Sequence, residues 1–92
     1  MRFEWDEAKN QANIRKHGID FNDAAALFSS ALLVASDARR DYGEERFHGV
    51  GLLHGRVVVV VFTQRTPETI RLISLRKASR RERKQYETRI QN

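Results

Sequence analysis

The run from Gly55 to Ala78, G-R-V-V-V-V-V-F-T-Q-R-T-P-E-T-I-R-L-I-S-L-R-K-A, limits this chain more than any other stretch. Its first half is β-branched and apolar, and its second half alternates apolar residues with Arg and Ser. Thr66-Pro67-Glu68-Thr69 between them has the chemistry of a turn, with proline at the second position. The pattern predicts a β-hairpin. With a two-residue loop Thr66 faces Thr69, and counting back sets Gln64 opposite Arg71, Phe62 opposite Ile73 and Val60 opposite Leu75. The alternate pairs are Arg65 with Ile70, Val61 with Ser74 and Val59 with Arg76. One face then carries Phe62, Ile73, Val60, Leu75 and Val58 and is expected to lie against helices. The other mixes Val with Arg65, Thr63, Ser74 and Arg76 and is the candidate working face.

The segment before it extends the same sheet. Glu45 to Leu53 reads as a strand that turns at His54-Gly55, where glycine supplies the positive φ of a tight hairpin loop. Leu53 then faces Arg56, and Phe47 comes beside Phe62 on the core face. Arg46, His48 and Val50 fall on the working face. Two independent turns therefore gather Arg46, His48, Arg65, Ser74 and Arg76 on one side.

A chain of 92 residues makes one domain with one modest core. It has no cysteine, which excludes disulfides and thiolate metal sites. No signal-like apolar N-terminus and no membrane-length apolar span is present, so a soluble, cytoplasmic protein is expected. Lys and Arg outnumber Asp and Glu by 17 to 12, for a formal charge of +5, and the arginines crowd the C-terminal half. Such a balance favours a polyanionic partner, nucleic acid or an acidic protein, over a neutral metabolite.

Phe3-Glu4-Trp5 suits a short edge strand. Asp6 is a good N-cap for a helix that runs to Lys16 or His17 and ends at Gly18. Lys9, Asn13 and His17 recur at helical spacing with Lys16 on the same arc, a face that is either ordinary solvated surface or the rim of the working face. Asp20 opens a second helix with Phe21, Ala24, Ala25 and Phe28 as its apolar stripe and Ile19 stapled onto Ala24. Ser29-Ser30 breaks that helix, and Ala31 to Ala35 is compatible with a strand. Ser36 to Glu44 is a polar loop in which Arg39, Arg40 and Tyr42 could meet RNA phosphate and stack a base. Ser79-Arg80-Arg81-Glu82 is a capping box that starts a last helix, with Arg83, Tyr86 and Ile90 along one stripe. Arg80 and Arg81 in its first turn oppose the helix dipole, a local cost that points to a ligand for them.

Motifs for nucleotide binding, zinc hydrolysis and serine nucleophiles are missing, and three scattered histidines without cysteine give no metal-ligand spacing. What remains is a face of Arg, Lys, His and Ser. Cleavage of RNA by its own 2′-hydroxyl needs only a base, an acid and cations to hold the charged phosphorane, and these residue types can supply all three. They equally suit a noncatalytic nucleic-acid-binding or regulatory module.

Several stretches together resemble a known family. They are F-E-W-D-E-A-K-N-Q-A-N-I-R-K-H-G-I-D-F from Phe3 to Phe21, E-E-R-F from Glu44, G-R-V-V-V-V-V-F-T-Q-R from Gly55, and R-L-I-S-L-R-K-A-S-R-R-E-R-K-Q-Y-E from Arg71. In this order, over nearly the whole chain, they resemble the BrnT toxins of bacterial type II toxin-antitoxin systems. The resemblance implies an α+β, RelE-like fold: a twisted antiparallel sheet with two N-terminal helices and one C-terminal helix. It implies metal-independent endoribonuclease activity that blocks translation, with no cofactor. It also implies a BrnA-like antitoxin carrying a ribbon-helix-helix DNA-binding domain, through which alone operator DNA would be reached, with room for a toxin homodimer in the complex. Carried over by position, the candidates are Lys9, Asn13, Lys16, His17, Arg65, Arg71 and Arg76. We assign His17, Arg65, Arg76 and Lys9 to catalysis. Asn13, Lys16, Arg46, His48, Arg71, Ser74, Arg80 and Arg81 are assigned to substrate binding. Arg71 and Arg76 are an odd number of residues apart and cannot share a face of a regular strand; a bulge, or a role at the strand end, would reconcile them.

Overall fold

A computed structural model describes residues 1–38 and 41–91. Strands β1 (Arg2–Glu4), β2 (Leu33–Ser36), β3 (Phe47–Leu53), β4 (Arg56–Thr66) and β5 (Thr69–Lys77) form one sheet in the order β1-β5-β4-β3-β2. Helices α1 (Glu7–His17), α2 (Ala24–Phe28, led in by a 3-10 turn at Phe21–Asp23) and α3 (Arg80–Gln91) complete the fold. The expected all-antiparallel sheet needs one correction. β1 pairs with β5 in parallel, so the sheet is mixed. The Arg2 N–H donates to the Glu68 carbonyl at 2.7 Å, which docks β1 at the tip of the hairpin and runs it alongside β5.

The β3–β4 register is as counted from the sequence, with Leu53 opposite Arg56 and Phe47 opposite Phe62. His54 shares the positive φ of Gly55, at 51° and 80°, as a tight hairpin turn of this hand requires. The β4–β5 pair departs from a regular ladder twice. Thr66 faces Thr69, but Gln64 then faces Ile70, which leaves Arg65 as an extra residue on β4. Further on Phe62 faces Leu72 while Val61 faces Ser74, which leaves Ile73 as an extra residue on β5. The two insertions cancel, so Val60 opposite Leu75 and Val59 opposite Arg76 hold as expected. Between them the pairing differs. Ile70 and Leu72, not Ile73, join Phe62, Val60, Val58 and Leu75 in the core.

On the core face, Phe21, Ala24 and Leu27 bring α2 against the sheet, while Ala25, expected in the stripe, is exposed. The initial 3-10 turn rotates the helix that follows it. Gly51 of β3 admits Leu27 of this helix and the turn after it, and Gly49 makes room for Leu32. A Cβ on Gly51 would lie 2.7 Å from the Ser30 hydroxyl and 2.9 Å from Leu32. The Ser30 hydroxyl donates to the Leu27 carbonyl and accepts from the Leu52 N–H, tying the end of α2 to β3.

Helix α1 is held differently. Asp6 caps its start by accepting from the Lys9 N–H and Gly18 ends it, both as expected, yet its buried residues are two asparagines, Asn10 and Asn13. The Asn10 side chain accepts from the Phe21 N–H at 2.8 Å and donates to Asp20. The Asn13 amide donates to the Ile19 and Leu75 carbonyls and accepts from the Leu75 N–H. β1 pairs with β5 only as far as Arg71, so one side-chain amide takes up the peptide groups of Leu75 that a longer β1 would have met. Truncating it leaves buried peptide groups unpaired. Asn13→Ala is expected to cost about 1–3 kcal/mol in urea denaturation, well beyond the effect of truncating an exposed polar residue of α1. A cost within error of zero would contradict this account of the clamp.

Candidate functional site

The face opposite the core is not uniformly open. α3 lies across its far end: the Tyr86 hydroxyl donates to the Ala31 carbonyl at 2.7 Å, and Val57 and Val59 beneath are buried. Only Tyr86 of the expected Arg83, Tyr86 and Ile90 stripe is buried, and Ile90 is 41% exposed. The helix begins as the capping box predicts. The Glu82 N–H donates to the Ser79 hydroxyl at 3.1 Å, and the Ser79 N–H donates to Glu82 at 2.8 Å.

The other half of this face, which we term the basin, extends beyond α3, with Ala35 and His48 at its border lining a groove shared with Glu82, Gln85 and Arg89 of the helix. The register lays it out in rows across neighbouring strands. One row is Ala35, His48, Val61 and Ser74, and the next is Thr63, Arg71 and Glu4. Strands in a sheet stand about 4.8 Å apart, so His48 and Ser74 flank Val61 at roughly 10 Å from one another. Arg76, opposite Val59, borders the basin at the α3 end.

The bulge at Ile73 settles the spacing problem. With one residue of β5 set aside, Arg71 faces Thr63, Ser74 faces Val61 and Arg76 faces Val59, three positions that alternate along β4 and so share a side. Arg71 therefore belongs with Arg76, where a regular strand would have put it on the core face.

Acidic side chains meet the arginines of this face. Arg76 sends both terminal nitrogens to Glu82, at 2.8 and 2.9 Å. Arg71 donates to Glu4 at 3.1 Å, and Arg65 stands 3.9 Å from the same carboxylate. Arg46 pairs with Glu44 at 3.3 Å and lies 3.9 Å above the Tyr42 ring, a cation–π contact at the loop edge. The Thr63 hydroxyl donates to the Glu45 carbonyl and pins that same edge. The pKa of Glu82 is lowered by its contacts. The hydrogen bonds from Arg76, aided by those from Ser79, hold its pKa at about 2 against the opposing effect of burial.

Not all sequence candidates meet in the basin. His48, Arg65, Arg71, Ser74 and Arg76 do, while Arg46, just before β3, stays at the loop edge with Glu44 and Tyr42. Asn13 spends its amide on the fold instead, at Leu75, between Ser74 and Arg76. Lys9 and Lys16, one turn to either side of it, are exposed along that flank, and His17 is half-buried at the end of the helix. Arg80 and Arg81 are exposed in the first turn of α3 beside Glu82. Arg39 and Arg40 lie outside the described residues. Sequence reasoning gave no role to Glu4 or to the Arg76–Glu82 pair. The acidic residue in an edge strand was the one available sign of the former, and the latter needed the bend between β5 and α3.

A family model described as "Ribonuclease toxin, BrnT, of type II toxin-antitoxin system" matches residues 5–82. Among solved structures, the crystal structure of the Brucella abortus ribonuclease toxin, BrnT, is similar to this chain, with 32% sequence identity and a TM-score of 0.66. The match covers 87% of this chain and 99% of that one. No curated protein matches the sequence.

The Glu82 pairing has a measurable consequence. Its folded-state pKa lies below the ordinary 4.5, so the stability it adds is fully present above that pH and is lost as pH falls towards about 2. Thermal melts of the protein and of Glu82→Gln should differ by a constant amount above pH 4.5 and converge on acidification towards about 2. Parallel curves over that range would show that the pair does not contribute in this way.

Proposed function

The chain belongs to the BrnT family of ribonuclease toxins of type II toxin-antitoxin systems, and on that footing we propose that the basin is where it cleaves RNA, without a metal ion. The observation that carries this reading is the sharing of one side of the sheet by Arg71, Ser74, Arg76 and His48, with Arg65 brought to it at the Glu4 carboxylate. In the proposed reaction the 2′-oxygen attacks the adjacent phosphorus as its proton passes to a base. The bond to the 5′-oxygen breaks as that oxygen takes a proton from an acid. The products carry a 2′,3′-cyclic phosphate and a 5′-hydroxyl. The guanidinium groups hold the phosphate oxygens and balance the charge that builds on them.

Metal independence is supported by the donor set: among the described residues no three His, Cys, Asp or Glu side chains converge. Cleavage is expected to persist in EDTA and to leave cyclic phosphate ends, read by end-labelling and phosphatase sensitivity. Loss of cleavage on chelation, restored by a divalent cation, would overturn it.

For proton transfer we assign His48, which stands in the row with Ser74, ahead of His17, which ends α1. His48→Gln should keep RNA affinity and thermal stability but lower the cleavage rate on the order of a hundredfold, removing one limb of the pH–rate profile. The same result for His17→Gln, with His48→Gln active, would return the role to His17. Lys9 and Lys16 then serve as flanking phosphate contacts from α1, and Arg80 and Arg81 as contacts from α3.

Membership of a type II system gives the toxin an antitoxin partner and an RNA substrate. We read the antitoxin as BrnA-like with a ribbon-helix-helix domain, so that operator DNA is reached through it and two toxin chains meet in the complex. The fold is read as RelE-like, and blocked translation as the outcome of cleavage, on the same family footing.

A further inference from the structure

Arg65 and Arg71 are the two basin arginines whose positions depend on sheet irregularities. Arg65 is the extra residue of β4, and Arg71 reaches this side because Ile73 is set aside on β5. Arg71 is paired on both edges, with Thr63 of β4 and Glu4 of β1, whereas Arg65 stands outside the ladder and is 51% exposed. Yet both come to one carboxylate. Glu4, the last residue of β1, sits opposite Arg71 in the parallel pair; its Oε2 accepts from Arg71 Nη1 at 3.1 Å. Its Oε1 lies 3.9 Å from Arg65 Nε, at ion-pair distance.

We propose that Glu4 is a positioning residue, which holds Arg65 and Arg71 together as one two-pronged clamp for an RNA phosphate; this rests on the basin being the site of cleavage. Two guanidinium groups share a single negative charge, so the group as a whole stays cationic. Most of their N–H donors remain for phosphate oxygens, since Glu4 engages one nitrogen of each. Without the carboxylate, two like charges brought together by the bulges would repel, and flexible side chains would spread over many rotamers. One Glu4 oxygen accepts from Arg71 and the other faces Arg65 at ion-pair distance, which separates its task from the proton transfer assigned to His48. The short edge strand thus has a task beyond pairing: it delivers this acid from outside the central hairpin.

Glu4→Gln tests this, since it keeps the shape and removes the charge. The expected result is a split: kcat for a defined RNA falls on the order of tenfold or more, while KM stays level or drops because the basin has gained a positive charge. The pH–rate profile should keep its shape and the melting temperature should stay near that of the parent. Glu4→Asp should recover part of the lost rate. In an Arg65→Ala, Arg71→Ala background, Glu4→Gln should add no further loss, because nothing is left to position. An unchanged kcat, a lost limb of the pH profile, or an undiminished effect in the background lacking Arg65 and Arg71 would each overturn the proposal. If removing the two arginines leaves cleavage intact, the site assignment falls as well; if it abolishes cleavage while Glu4→Gln has full activity, only the positioning role falls.

Discussion

The central hairpin carries two unequal loads, an apolar face that must stay in the core and a basic face that must stay out, and one residue of slip would exchange them. Val58, Val60, Phe62, Leu72 and Leu75 remain inside across both irregularities because the extra residue on β4 is offset by an extra residue on β5. The segment between the bulges is shifted by one pairing, and that shift brings Arg71 to the outer side while Ile70 and Leu72 take the core positions. The bulges therefore serve packing and the candidate site at once.

Around that frame the helices are attached by different physics. α2 is held by ordinary apolar burial, made possible by the missing side chain at Gly51, and by the Ser30 hydroxyl at its end. α1 has almost no apolar stripe and is fixed by Asn13, whose amide is engaged with backbone, and by Asn10, which accepts from the Phe21 N–H and donates to Asp20. Buried amides are costly unless every donor and acceptor is met, so such a helix has one well-defined seat. That seat is along β5, the strand that supplies Arg71, Ser74 and Arg76.

Charge is managed just as locally. Arg76 and Glu82 link β5 to α3, while Glu82 also caps that helix through Ser79, so one acid fixes both the helix and the arginine. The partly exposed pairs at Glu4 and Glu44 gain little net stability. Their value lies in where they hold the guanidinium groups. A surface made only to bind polyanions would have less reason to place an acid beside its arginines.

The sequence by itself determined the elements whose signals are local. The His54-Gly55 turn, the Asp6 cap, the Gly18 stop and the Ser79–Glu82 box are each decided within a few residues, so their chemistry can be read directly. The β3–β4 register followed from one of these turns, and with it the placing of Arg46 and His48. Counting failed between Phe62 and Thr66, because a bulge is chosen by competition among Ile70, Leu72 and Ile73 for the core and has no turn residue to announce it. The parallel docking of β1, the turning of Asn13 onto Leu75 and the covering of half the basic face by α3 were likewise decided by tertiary structure. Each joins residues far apart in the chain, through backbone groups or shape that carry no mark in the sequence. The arginines of the candidate site are thus visible in the sequence as a set, whereas their common side and the carboxylates beside them exist only once the sheet has closed its edges.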